Sequence, residues 1–258
     1  MQIVDYNETR LVKRHRGTMP IILTSPHGGS EIPPGVPRRD PAKAPADCTG
    51  GKAVNNSSDG KTNEITEAVA RKIFELTGLT PYVVIAKFLR ERIDANRPAR
   101  CAFFDEDARP FYEEYHNRID GYIEQIRAQN ENRGFLFDIH GTGRDTHDIL
   151  LGTGNGTTFM PGFDSANLFM RHGLHGLLSA VRLQILPMPS FGYRIDPPDP
   201  TTNEILNGGF TVRNYSPRLN CVQIEISTGI QDFDLRRNLL VEDLAFAMIN
   251  FVRRYAPF

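Results

Sequence analysis

Short runs of consecutive apolar residues recur along the chain, separated by longer segments in which apolar residues return every three or four positions. Pro20–Ser25, Tyr82–Phe88, Phe135–Ile139, Asp148–Gly152, Arg182–Pro187 and Cys221–Ile226 are runs of the first kind. They lack strict alternation, which fits central strands covered on both faces rather than half-solvated ones. Asn63–Thr77 is of the second kind, with Ile65, Ala68, Val69, Ile73 and Leu76 at helical spacing and Gly78 as a stop. Pro110–Gln129, Ser165–Ala180 and Leu235–Arg254 read as helices in the same way. Strands alternating with helices predict an α/β fold with a mixed, largely parallel sheet.

Two stretches break the pattern. Glu31–Ser58 carries Pro33, Pro34, Pro37, Pro41 and Pro45, then Gly50 and Gly51, and reads as a long irregular loop. Met188–Asn220, with Pro197, Pro198, Pro200, Gly208 and Gly209, reads likewise. Long loops within a compact domain are usually functional or mobile. With no internal repeat and no break in composition, the 258 residues read as one domain, 1–258.

A formal net charge of -1 gives no broad field, so neither nucleic acid nor an anionic membrane is the expected partner. The first residues have no apolar signal segment, and no apolar run reaches the roughly 20 residues of a membrane helix. Cys48, Cys101 and Cys221, odd in number and widely spaced, are expected to be free thiols in a reducing, cytoplasmic compartment. No C-x-x-C pair is present, so a metal would be held by histidine and carboxylate.

Histidine stands at the end of two predicted strands, His27 in SPHGG and His140 in DIHGTG. Ligands of open α/β sheets bind outside the carboxyl ends of the strands, and the following glycines allow close approach. A catalytic zinc takes about three protein ligands and keeps one position open. Glu31, Asp59 and Glu64 are the acidic candidates. Asp59 is equally placed to cap the first helix, and Glu64 to complement its dipole. Glu225 lies within the apolar run CVQIEI and is either a solvent-facing residue of an edge strand or a general base with a raised pKa. Asn96 and Arg97 in RIDANRP offer an amide and a forked guanidinium for a carboxylate, with Arg90, Arg100, Arg194 and Arg213 as further candidates. His147 is a candidate to line the pocket. His15, His116, His172 and His175 read as structural or exposed.

The ordered set SPHGG, Asp59 before a helix, ID-A-NRP, DIHG, Gly208–Gly209 followed by TVR, and QIEI resembles the N-formylglutamate amidohydrolases over about residues 20 to 230. The resemblance implies a three-layer α/β/α fold, phosphorylase/hydrolase-like, related to zinc carboxypeptidases and cell-wall amidases. It implies zinc, or another divalent metal, held by His27, His140 and Asp59. Asp59 is favoured because Asn63 follows it at the amidase spacing. It further implies Glu225 as catalytic base, and Arg97 and Asn96, with Arg213, as carboxylate binders. A small acidic substrate such as N-formyl-L-glutamate follows. Alternative readings are a carboxypeptidase-like or γ-glutamyl or cell-wall amidase, and a binding protein without activity.

Overall fold

Ile21, Ile22, Leu23, Val83, Val84, Phe135, Leu136 and Phe137 expose no surface at all, and such consecutive burial fits strands in the middle of a sheet with both faces covered. The computed structural model describes residues 10–48, 54–130, 133–144, 146–160, 193–196, 206–256 and 258. Among these, the elements follow in chain order as β1 (Val12–His15), β2 (Ile21–Ser25), α1 (Thr62–Thr77), β3 (Tyr82–Ala86), α2 (Ala99–Ala102), α3 (Arg109–Gln129), β4 (Phe135–Thr142), β5 (Ile149–Gly152), β6 (Ile195–Asp196), α4 (Phe210–Tyr215), β7 (Asn220–Ser227), α5 (Thr228–Gln231) and α6 (Asp234–Tyr255).

The described strands form one sheet in the order β1-β3-β2-β4-β7-β5-β6. The four middle strands, β3, β2, β4 and β7, are parallel. β1 joins antiparallel to β3, and β5 antiparallel to β7. The sheet is therefore mixed and largely parallel between helices, as the pattern predicts. Leu23, Phe137, Ile139, Val222 and Ile224 belong to the core that also takes Ile65, Val69 and Ile73 of α1 and Leu244, Met248 and Phe251 of α6. Ile22, Leu136 and Cys221 belong to the other, with Tyr115, Ile119, Tyr122 and Ile126 of α3. Each fully buried aliphatic side chain of this kind contributes about 2 kcal/mol. Gly78 ends α1 as expected, at φ 71°, with its N–H on the Phe74 carbonyl at 2.8 Å.

The second face changes character along the strands. At the carboxyl ends Ile22 gives way to Thr24, Leu136 to Asp138 and His140, and Cys221 to Gln223 and Glu225. The register aligns Thr24 with Asp138, Asp138 with Gln223, and His140 with Glu225. Cross-strand partners share a face, so these polar side chains form one cluster at the edge of the α3 core.

Three expectations need correction. His15, read as structural or exposed with no element assigned, ends a strand, Val12–His15, whose core-side Val12 is fully buried beside β3. Within the irregular stretch Met188–Asn220, β6 and the six-residue α4 are regular, too short for a periodic signal. Cys48 and Cys101 are not free thiols but a disulfide, and only Cys221 is free. The bridge spans 53 residues and ties the Pro-rich loop to α2, a pairing no spacing rule reveals. The thiol count therefore no longer argues for a reducing compartment. The expected helix 165–180, with His172 and His175, and the expected strand 182–187 lie outside the described residues. No described helix is long and apolar enough to cross a membrane.

Closing a loop of this length should stabilise the fold by about 4 kcal/mol at most. Urea unfolding of Cys48→Ser should show most of that loss, and wild-type protein in dithiothreitol should show the same. Identical midpoints with and without reductant would mean the bridge contributes nothing.

Candidate metal centre

His27 follows β2 by two residues, and His140 lies in the last turn of pleat of β4. Both are buried, with 1 % exposure. Asp59 reaches them from the segment before α1, where its N–H bonds the His27 carbonyl at 3.2 Å. It does not cap the helix, because the N-cap position is Lys61. Instead one carboxylate oxygen, Oδ2, lies 3.1 Å from His27 Nδ1 and 2.9 Å from His140 Nδ1. The ligand atoms of these three residues lie within 4.8 Å of one another. The other acidic candidates are elsewhere. Glu64 is exposed and pairs with Lys61, and Glu31 pairs with Lys87.

The outer nitrogen of each imidazole is held by its own carboxylate. His27 Nε2 donates to Asp94 Oδ1 at 2.6 Å, and His140 Nε2 donates to Asp138 Oδ2 at 2.8 Å. Both acceptors are wholly buried. Asp138 is two residues before His140 on the same strand face, and Thr24 of the neighbouring strand donates to its second oxygen at 2.5 Å. Asp94 also accepts from the Asn96 N–H at 3.1 Å and from Arg90 Nε at 3.2 Å, with Arg39 Nη2 at 3.6 Å. Arg90 bridges to the far oxygen of Asp59 at 3.0 Å. Burial by itself would raise the Asp94 carboxyl, but His27, Arg90 and Arg39 outweigh it and hold it far below the usual range. Asp59 is likewise held well below that range, burial being outweighed by the two histidines.

With protons on both Nε2 atoms, both Nδ1 atoms direct lone pairs at the Asp59 oxygen. Two lone pairs and an anionic oxygen repel unless a positive charge lies between them. In line with this, the Asp138 and Asp59 carboxylates outweigh burial and push the His140 pKa well above its ordinary value. The donor set fits a divalent metal: two imidazole nitrogens and one carboxylate, each imidazole backed by a carboxylate. Tetrahedral bonds of zinc length put ligand atoms about 3.3 Å apart, so the observed 2.9 and 3.1 Å need only small adjustment.

Beside the three residues is a cavity of about 360 Å³. Glu225 lines it from β7. That strand lies between β4 and β5, so it is not an edge strand. Burial and the Asp59 charge raise the Glu225 pKa, against the pull of the two histidines and a 2.7 Å bond from Gln223 Nε2. Asn96 and Arg97 line another part of the wall. Thr211 N–H and Oγ1 both donate to Asn96 Oδ1, at 2.8 and 3.1 Å, which turns the Asn96 amide N–H groups towards His140. Gly209 permits this: a Cβ there would fall 2.2 Å from Asn96 Nδ2.

Other candidates lie outside the cavity. Arg213 is exposed on α4 and does not line it. Arg100 pairs with Asp47 and Arg194 with Asp148. His147 bonds its neighbour Thr146. Sequence reasoning passed over Asp94 and Asp138, although both stand inside quoted motifs. An acid two residues before a strand-end histidine shares its face, and that was the available signal for Asp138. It also passed over Arg144, which lines the cavity four residues after His140.

His116, read as structural or exposed, is buried under the Asn96 segment. Its Nε2 donates to the Ala95 carbonyl at 3.0 Å and its Nδ1 accepts from Tyr215 OH at 2.7 Å, which defines a neutral ring. Burial lowers its pKa to about 4, against the opposing pull of the Ala95 carbonyl and the more distant Asp120 and Asp138.

No family model matches the chain, and no curated protein matches it. Among solved structures, the N-formylglutamate amidohydrolase from Ralstonia eutropha JMP134 superposes with a TM-score of 0.59 at 18% identity, over 92% of this chain and 95% of that one. A gene product of Agrobacterium tumefaciens superposes with a TM-score of 0.58 at 16% identity, over 95% of both. The likeness is one of fold.

Between pH 6.5 and about 4 the unfolded chain protonates His116 and the folded protein does not. Stability contributed by the neutral ring is thus complete above pH 6.5 and lost as pH falls, up to about 3 kcal/mol by pH 4. Urea unfolding of wild type and His116→Gln at pH 7 and 4.5 should show a smaller acid-induced loss in the variant. Equal losses would rule the linkage out.

Proposed function

We propose that the chain is a metal-dependent amidohydrolase acting on a small N-acyl amino acid, with N-formyl-L-glutamate, cleaved to formate and glutamate, as the best-fitting substrate. The observation that carries this reading is the meeting of His27 Nδ1, His140 Nδ1 and Asp59 Oδ2 beside Glu225 in one small cavity. His27, Asp59 and His140 would hold the metal, zinc by ligand type. Such a metal, when bound, supplies Lewis-acid polarisation of a carbonyl and a more acidic water.

The chain's own groups do the rest. Glu225 is the base that takes a proton from the attacking water and delivers it to the leaving amine, so that one water is consumed and formate and a free amine result. A half-buried carboxylate with a raised pKa suits both halves of that task. The Asn96 amide, held by Thr211, and the Arg97 guanidinium bind the α-carboxylate of the substrate. Asp94 and Asp138 keep both imidazoles in the tautomer that leaves Nδ1 unprotonated, and orient the rings. The cavity, about 360 Å³, has room for a substrate of this size.

His140→Ala should lose stoichiometric metal and activity together, read by metal analysis and by formate release. Glu225→Gln should keep its metal while turnover falls about 10³-fold; full turnover in this variant would remove Glu225 as the base. Asp94→Asn keeps all three proposed ligands and should weaken metal affinity about 10- to 100-fold in a chelator competition. Unchanged affinity would mean that Asp94 does not support His27.

A further inference from the structure

Three arginines line the cavity, and they are not equivalent. Arg90 is committed to Asp59, Asp94 and the Ser57 carbonyl. Arg97 is half-buried, with Nε 3.9 Å from Asp94 Oδ2, and is the group assigned above to the α-carboxylate. Arg144 comes from a different element, the loop that leaves β4. Its backbone N–H is steadied by Thr142 Oγ1 at 3.3 Å, while its exposed guanidinium has no ion-pair partner among the described residues. A cation on a cavity wall without an internal anion suits a ligand anion.

The rest of the lining points the same way. Leu206 is the one aliphatic side chain among the described lining residues, and the others are polar, charged or glycine. An apolar amino-acid side chain would find almost nothing to bury against. On the charge side, Asp59 is paired with Arg90, and Glu225, the other acid of the lining, is bonded by Gln223 and makes no ion pair with a wall arginine among the described residues. One α-carboxylate answers Arg97, and Arg144 is left over.

We infer that Arg144 binds a second carboxylate, that of the substrate's side chain, and so restricts the enzyme to N-acyl derivatives of acidic amino acids. This rests on the amidohydrolase reading and assigns its specificity to a residue outside the proposed metal and base set. A fork-shaped guanidinium bound to a carboxylate discriminates against the uncharged amide isostere, which leaves it without its charge partner.

The test compares zinc-loaded wild type with Arg144→Gln on N-formyl-L-glutamate and N-formyl-L-glutamine, with calorimetric binding of L-glutamate and L-glutamine as a second readout. Arg144→Gln should lower kcat/KM for the glutamate compound about 10- to 100-fold. The glutamine compound should change less than about threefold, and its retained turnover reports an intact fold. The same variant should lose the preference of wild type for L-glutamate over L-glutamine in binding. An equal fall on both compounds, or no fall on either, would overturn the inference. If wild type hydrolyses neither compound, the amidohydrolase reading fails by itself. The binding comparison then still decides Arg144: a preference lost in the variant supports it, and a preference unchanged refutes it.

Discussion

Everything at the candidate centre depends on one electrostatic demand: a point inside the protein where two imidazole lone pairs and a carboxylate oxygen meet needs positive charge. Burying unpaired charges costs several kcal/mol each, so such a point exists only if its surroundings are balanced. The chain balances them in alternation. Arg39 and Arg90 answer Asp94, Asp94 answers His27, and on the other side Asp138, steadied by Thr24, answers His140. Arg90 closes the circuit by reaching the far oxygen of Asp59. A proton shared with His140 satisfies the centre in part; a divalent cation of the right size satisfies it fully.

The sheet supplies the precision. Parallel strands β2, β4 and β7 in fixed register bring Thr24, Asp138, His140 and Glu225 to one face at their carboxyl ends, while apolar residues upstream on the same face pack against α3. The irregular segments complete the site from outside the sheet. Asp94 to Arg97 follows β3, Asp59 precedes α1, and the Gly208–Gly209 turn lets Asn96 approach closely. Strands thus hold the proposed metal ligand His140 and the proposed base Glu225, while the segments between elements hold His27, Asp59 and Asp94.

Much of this was legible beforehand, for identifiable reasons. The α/β class and the bounds of α1, α3 and α6 follow from periodicity, which is a local property. His27 and His140 stood out because strand-end histidine before glycine is a local pattern. Asp94 and Asp138 were overlooked within quoted motifs, because their importance lies in which nitrogen they hold, and that is a matter of distance. Arg213 was named and Arg144 was not, because sequence order does not say which guanidinium turns into the cavity.

The amino-acid sequence by itself determined the elements, the central strands and the residue types able to bind a cation, since these depend on spacings of two to four residues. Only the tertiary structure decided that Asp59, and neither Glu31 nor Glu64, joins the two histidines, that β7 is internal, and that Cys48 meets Cys101. Each of these is a meeting of groups tens of residues apart in the chain. The register and packing of the whole sheet set such distances, and no local pattern encodes them.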